Sequence, residues 1–146
     1  MRYFTISELI KSDTAVARKI WNGANREQED NLIALVAAVL DPLRTAYGKP
    51  IHISSGYRCP TLNKAIGGVV NSQHMKGEAA DLDLGSTTEN RKLAKFIVDL
   101  KLPFDQLIDE ANYAWVHVSH KKNGGNRGQI LRMRGGKYTV IKADQL

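Results

Sequence analysis

Apolar residues recur along this chain in two rhythms, a helical one in the first third and a strand-like one in the second half. Near the N-terminus, Thr5-x-x-Glu8 in "FTISEL" is a capping-box pattern and predicts a short helix from about Ile6. From about Arg26 to Tyr47, the residues Leu32, Val36, Val39 and Leu43 fall on one stripe at helical spacing, the buried face of a long helix. Gly48 and Pro50 end it. Pro42 is expected to kink or break its last turn, because proline lacks the amide proton and crowds the carbonyl one turn back. "IHISSGYR" then reads as a short strand running into a loop. "CPTLNKAIGG" reads as a helical turn with Pro60 near its start and Gly67 as its C-cap.

The rhythm changes at "EAADLDL". Alternation places Ala79, Asp81 and Asp83 on one strand face and Ala80, Leu82 and Leu84 on the other. Ser86-x-x-Glu89 caps a further helix that buries Leu93, Phe96, Ile97 and Leu100. "FDQLIDE" and "AWVHVSH" predict two strands with a tight connection at Asn112. "QILRMR" and "KYTVIK" predict two more around Gly135-Gly136. Helices first and hairpin-linked strands afterwards predict an α+β fold, with a small antiparallel sheet packed against the N-terminal helices in one domain over residues 1–146.

With 146 residues and 42% hydrophobic content the chain is long enough for a real core. Its longest apolar stretch, "LIALVAAVL", is far too short to span a membrane. The N-terminus has no apolar core of a secretory signal, so the expectation is cytoplasmic synthesis, with the route to any site of action outside the cell left open. Cys59 is the lone cysteine and forms no internal disulfide. The net charge of +6 is concentrated in the basic tail from about His120 onward. A basic face suits an anionic partner, and equally a solvated surface. No zinc-finger, RNP or basic-helix pattern accompanies the charge, so nucleic acid is not expected as a specific partner.

The chemistry concentrates in "SQHMKGEAADLDL". Asp81 lies in an apolar run, where a carboxylate needs a donor, a cation or a metal. His74 stands seven residues before it, across Gly77, and His117 lies mid-strand in "WVHVS" on the face shared by Trp115 and Ser119. Two histidines and one carboxylate, with a fourth position left for water, form a catalytic zinc set.

"SGYRCPTLNKAIGG", "NSQHMKGEAADL", "FDQLIDE" and "WVHVS", in this order, resemble the M15 family of zinc D-Ala-D-Ala peptidases, in its peptidoglycan carboxypeptidase branch. Ser72, His74, Gly77, Ala79 and Asp81 match every fixed position of the family motif S-x-H-x-x-G-x-A-x-D. The four blocks cover roughly residues 50–120. The resemblance implies that His74, Asp81 and His117 bind Zn²⁺. It also implies that Arg58 engages substrate, a role for which a guanidinium fork is suited, while a surface salt bridge is the plainer reading of that residue. Ser72 and Gln73 are expected to line the cleft, with Ser72 orienting its loop.

The sequence departs from the family at the general base. Many relatives carry a glutamate three residues before the last histidine ligand, and here that position is Ala114. Glu110 is the candidate base, because it lies in the "FDQLIDE" block and shares a strand face with Gln106. Asp109 is the second candidate and His120 a distant third. The alternative role for Glu110 is to hold His117 in its ligating tautomer. The resemblance implies hydrolysis of a D-alanine-containing bond in a peptidoglycan stem peptide. The alternatives are an endopeptidase cutting an inner or cross-link bond, a non-catalytic zinc-containing wall-binding module, and a basic structural or nucleic-acid-binding protein with a structural metal.

Overall fold

A computed structural model of the chain describes residues 1–146. The capping signals are made as read. The Thr5 hydroxyl accepts the Glu8 amide and opens α1 (Ile6–Ile10). Ser12 does the same for α2 (Asp13–Ala17), accepting the Ala15 amide. Five residues are too few for a periodic stripe, so α2 carries no hydrophobic signature and only its cap marks it.

The long helix is not broken at Pro42, but its hydrogen bonding is distorted just ahead of the proline. It has three parts: α3 (Arg26–Leu35), a π-helical turn (Val36–Leu40) and α4 (Asp41–Tyr47). The π turn accommodates the proline. The Asp41 amide reaches back five residues to the Val36 carbonyl, which widens the helix just before Pro42 enters the first turn of α4. The ring is thereby not driven against the carbonyl one ordinary turn behind it. Leu32, Val36, Val39 and Leu43 are fully buried, as the stripe predicts. Gly48 closes the helix in the left-handed conformation, with its amide on the Arg44 carbonyl.

Two further helices follow, α5 (Pro60–Ala65) and α6 (Thr87–Asp99). The six strands are β1 (Ile53–Ser55), β2 (Ala79–Leu82), β3 (Gln106–Glu110), β4 (Trp115–Ser119), β5 (Gln129–Arg134) and β6 (Lys137–Ile141), in the order β1-β2-β4-β3-β5-β6. All neighbours are antiparallel except β3 and β5. The fold is the α+β arrangement read from the sequence. Ala80, Leu82, Leu107, Val116 and Val118 on one sheet face join Leu35, Leu40, Leu93 and Ile97 from the helices in a core cluster of 23 buried residues. Each fully buried leucine there contributes roughly 1.5–3 kcal/mol relative to exposure. The opposite face carries Asp81, His117, Ile108 and Glu110, so the core positions the site by fixing the sheet from behind.

Asp83 falls just beyond β2 and serves a turn, accepting the Gly85 amide and the Asn90 side chain. The β3–β4 connection is tight, as expected, and unusual: Ala111, Asn112 and Tyr113 all have positive φ, at 50°, 59° and 58°. Such backbone costs on the order of 1 kcal/mol or more per non-glycine residue and persists only when its surroundings over-determine it. Here the Tyr113 amide donates to Asp109 Oδ1 at 2.8 Å, and the Asn90 side chain donates to the carbonyls of Tyr113 and Ala114. The basic tail also turns inward. Arg132 and Arg134 both reach the buried Asp109, and Arg127 reaches the buried Asp105, so part of the positive charge answers two interior carboxylates.

Candidate metal centre

His74 Nε2, Asp81 Oδ1 and His117 Nδ1 converge. The two nitrogens are 3.2 Å apart, and they lie 3.2 and 3.3 Å from the carboxylate oxygen. All three residues are buried. The sheet register brings two of them together, because Asp81 and His117 are directly opposed across the β2–β4 ladder. His74 arrives from a 3₁₀ turn (Gln73–Lys76) that precedes β2. Ser72 caps that turn, its hydroxyl accepting the His74 amide at 3.2 Å.

Two glycines let the turn sit where it does. Gly77 ends it at φ 74°, and a Cβ there would lie 2.3 Å from the Gln28 carbonyl oxygen. Gly56 presses its backbone on α1, and a Cβ there would lie 2.1 Å from the Leu9 carbonyl oxygen. From that position the Gly56 carbonyl accepts the Nδ1 proton of His74 at 2.7 Å. This bond turns Nδ1 away from the site and presents Nε2 to Asp81 and His117.

These residues could hold a metal ion. Ligand atoms about 2.0–2.2 Å from a tetrahedral zinc stand about 3.3–3.5 Å from one another. The observed separations of 3.2–3.3 Å fit that edge length closely. Two imidazoles and one carboxylate are also a donor set suited to zinc with an open position. Burial by itself raises the Asp81 carboxyl. The charges and hydrogen bonds of His74 and His117 outweigh it and hold the group well below the usual carboxylate range, so it is present as a ligating anion. His120 points elsewhere, with Nδ1 2.6 Å from the Pro103 carbonyl.

The register also separates the two acids of β3. Glu110 and Ile108 lie on the face of His117, whereas Asp109 lies on the helix-covered face with Arg132 and Arg134. Glu110 is buried, and that burial, reinforced by Asp81, raises its carboxyl above the ordinary value. His117 and Arg58 act in the opposite direction and no hydrogen bond contributes, so it is an unclamped carboxyl beside the three converging ligands. Gln106 does not pair with Glu110; its amide donates to the Gln129 side chain at 2.8 Å.

Arg58 makes no ion pair closer than 4 Å, so the surface salt bridge is not its role. Its Nε is buried without a partner, and Nη2 reaches only the Ser72 hydroxyl, at 3.5 Å. Burial lowers its pKa, while the nearby Asp81 and Glu110 favour the cation. Gln73 donates to Asp105 at 3.1 Å, which leaves its own carbonyl oxygen buried and unpaired. Asn22, which the sequence reading passed over, clamps the loop that carries Arg58: it donates to the Tyr57 carbonyl and accepts the Cys59 amide. No spacing rule marks such an asparagine, because its partners are backbone groups 35 and 37 residues away. Beside His117 runs a groove of about 310 Å³, lined by Ser72 and Gln73 on one side and by Ile108, Leu131 and Tyr138 on the sheet.

A family model described as Peptidase M15 matches residues 2–119 of this chain. Over 48 residues the chain is 50% identical to the zinc D-Ala-D-Ala carboxypeptidase of Streptomyces albus G, a stretch that covers 32% of this chain and 19% of that protein. The match thus spans less than a fifth of the relative's length.

Proposed function

We propose, from the premise that the chain belongs to the peptidase M15 family, that it is a zinc peptidase hydrolysing a D-alanine-containing bond of peptidoglycan stem peptides, of the D-Ala-D-Ala carboxypeptidase type. The convergence of His74 Nε2, Asp81 Oδ1 and His117 Nδ1 carries the metallopeptidase part of this reading. The relative's name over the shared 48 residues supports the substrate part.

Zinc held by these three side chains supplies Lewis acidity, polarising a carbonyl and acidifying water. The chain's own residues do the rest. Glu110, an unclamped carboxyl of raised pKa on the same sheet face, takes a proton from the attacking water as the new C–O bond forms. It delivers that proton to the amine nitrogen as the C–N bond breaks. Arg58, a guanidinium with no ion-pair partner, offers its charge to the substrate's carboxylate. Gly56 and Ser72 hold His74 in place from the far side of its ring and from its amide.

Mass spectrometry of muropeptides after incubation with the zinc-loaded protein tests this reading. The expected product is a stem peptide shortened by one terminal D-alanine, and intact stem peptides would sink it. The groove beyond His117 toward β6 favours one second reading, an endopeptidase that accommodates chain on both sides of the cut. In that case the products are split cross-links with their termini intact. Arg58→Lys separates the two further. The point charge remains but the planar fork is lost, so a carboxypeptidase should lose about tenfold or more in kcat/KM with zinc content unchanged. An enzyme that binds no terminal carboxylate should be nearly indifferent.

A further inference from the structure

The family match ends at residue 119, yet the groove does not. Its outer wall is built by the β5–β6 hairpin, which continues the sheet past β3. The cross-strand rows show how. On the site face, His117 is opposed by Ile108, Ile108 by Leu131, and Leu131 by Val140. The next row runs Trp115, Glu110, Met133 and Tyr138. Tyr138 therefore stands in the row of the candidate base, two strands further out, with its side chain on the site face. It lines the same groove as His117, Ser72 and Gln73 while remaining 46% exposed.

We propose that Tyr138 is a substrate-contacting residue of this peptidase cleft: its ring covers the bound peptide against the Ile108–Leu131 floor, and its hydroxyl donates a hydrogen bond to a peptide carbonyl or carboxylate oxygen. The inference rests on the peptidase reading above and deepens it, assigning a binding role to the segment beyond the family match. Tyr138, on an edge strand with 46% of its surface in water, overhangs a groove with an apolar floor of Ile108 and Leu131 and a polar far wall of Asn71, Ser72 and Gln73. A phenol is suited to that position, because it offers an apolar face to the substrate backbone and a polar tip at the mouth. Its surroundings keep the tip a donor. Burial, then Glu110 and Asp81, raise the phenol's pKa, against a smaller opposing effect of Arg58, so it stays protonated at neutral pH. Tyr138 shares the cross-strand row of Glu110, and Arg58 reaches Ser72 on the facing wall of the groove, so a substrate carboxylate held by Arg58 would enter the cleft that Tyr138 lines.

The test compares wild type, Tyr138→Phe, Tyr138→Ala and Thr139→Ala in zinc-loaded protein. Thr139 sits on the same strand, opposite Arg132 in register and on the other sheet face. Three quantities are read: KM and kcat on a pentapeptide stem ending in D-Ala-D-Ala, and the Kd of the tetrapeptide product by calorimetry. Tyr138→Phe should raise both KM and Kd about two- to tenfold, the loss of one hydrogen bond. Tyr138→Ala should raise them by about tenfold more, with zinc content and melting temperature unchanged and Thr139→Ala behaving as wild type. Unchanged KM and Kd in Tyr138→Ala, on a wild type that turns over, overturn the inference alone. So does an equal effect of Thr139→Ala, which would mark a general disturbance of the hairpin. A wild type that neither binds nor cuts the peptides overturns the function and this inference with it.

Discussion

Asp81 and His117 are direct partners across the β2–β4 ladder, and Asp81 Oδ1 lies 3.3 Å from His117 Nδ1. The pairing is a property of the sheet register, so a one-residue slip of either strand would turn its own ligand into the core and part the pair. His74, 3.2 Å from each, is positioned independently by a turn and by the Gly56 carbonyl. The three ligands thus depend on two separate pieces of structure. Zinc should bind the wild type stoichiometrically and raise its melting temperature, because a ligand at about 100 times its Kd adds about 2.7 kcal/mol to the folded state. His74→Ala and His117→Ala should lose both effects at neutral pH. Elemental analysis and thermal melting check this, and stoichiometric zinc retained by both variants would refute the assignment.

Gly77→Ala should be disproportionately damaging for a one-carbon change. The residue needs φ 74°, and its added carbon would lie 2.3 Å from the Gln28 carbonyl oxygen, a backbone atom that cannot swing aside. A loss of about 2 kcal/mol or more is expected, with weakened zinc affinity because the His74 turn must shift. Denaturant melts with and without zinc measure both. Wild-type stability would show that α3 moves freely against the turn.

Much of this architecture is legible in the chain. Local signals carried it where the partners are local: Thr5 with Glu8, Ser86 with Glu89, and the stripe from Leu32 to Leu43. Strand parity placed Glu110 on one face and Asp109 on the other, and the ladder keeps them there. Pro42 does not break the helix, because a π turn accommodates it in a stretch buried on both sides, at Val39, Leu40 and Leu43. What sequence could not supply is long-range pairing. That Arg132 and Arg134 share Asp109, that Asn22 holds the loop of Arg58, and that Tyr138 returns to the cleft all depend on contacts between distant segments.

That division of labour on β3 yields a paired experiment. Glu110→Gln should retain zinc and stability but lower kcat by about 10²–10⁴ if it is the base. Asp109→Asn should do the reverse. It takes the charge from a buried carboxylate that holds two arginines and the Tyr113 amide, so about 2–4 kcal/mol of stability should go, through the β3–β4 turn. Zinc affinity falling about 10–100-fold in Glu110→Gln, with kcat nearly intact at saturating metal, would make Glu110 a positioning residue for His117 instead. Kinetics, metal content and melts on both variants are sufficient.

Asp105 supplies a pH test away from the metal ligands. Its side chain is inaccessible and accepts three hydrogen bonds from Arg127 and one from Gln73. The Arg127 hydrogen bonds, against an opposing effect of burial, bring its pKa down to about 2 from an ordinary 3.8. A carboxyl whose folded-state pKa lies below its unfolded one stabilises the fold where it is ionised in both states, above about pH 4. That contribution is lost as the pH falls toward about 2. Asp109 is shifted in the same direction and adds to the acid sensitivity of the wild type, so only a difference between proteins isolates Asp105. Asp105→Asn should therefore be less stable than wild type by about 1–3 kcal/mol at pH 7. The gap should close steadily between about pH 4 and pH 2, because the wild type alone loses the contribution there. Denaturant midpoints measured across that range decide it, and a gap that stays constant through acid would show that the Arg127 contacts do not depend on the Asp105 charge.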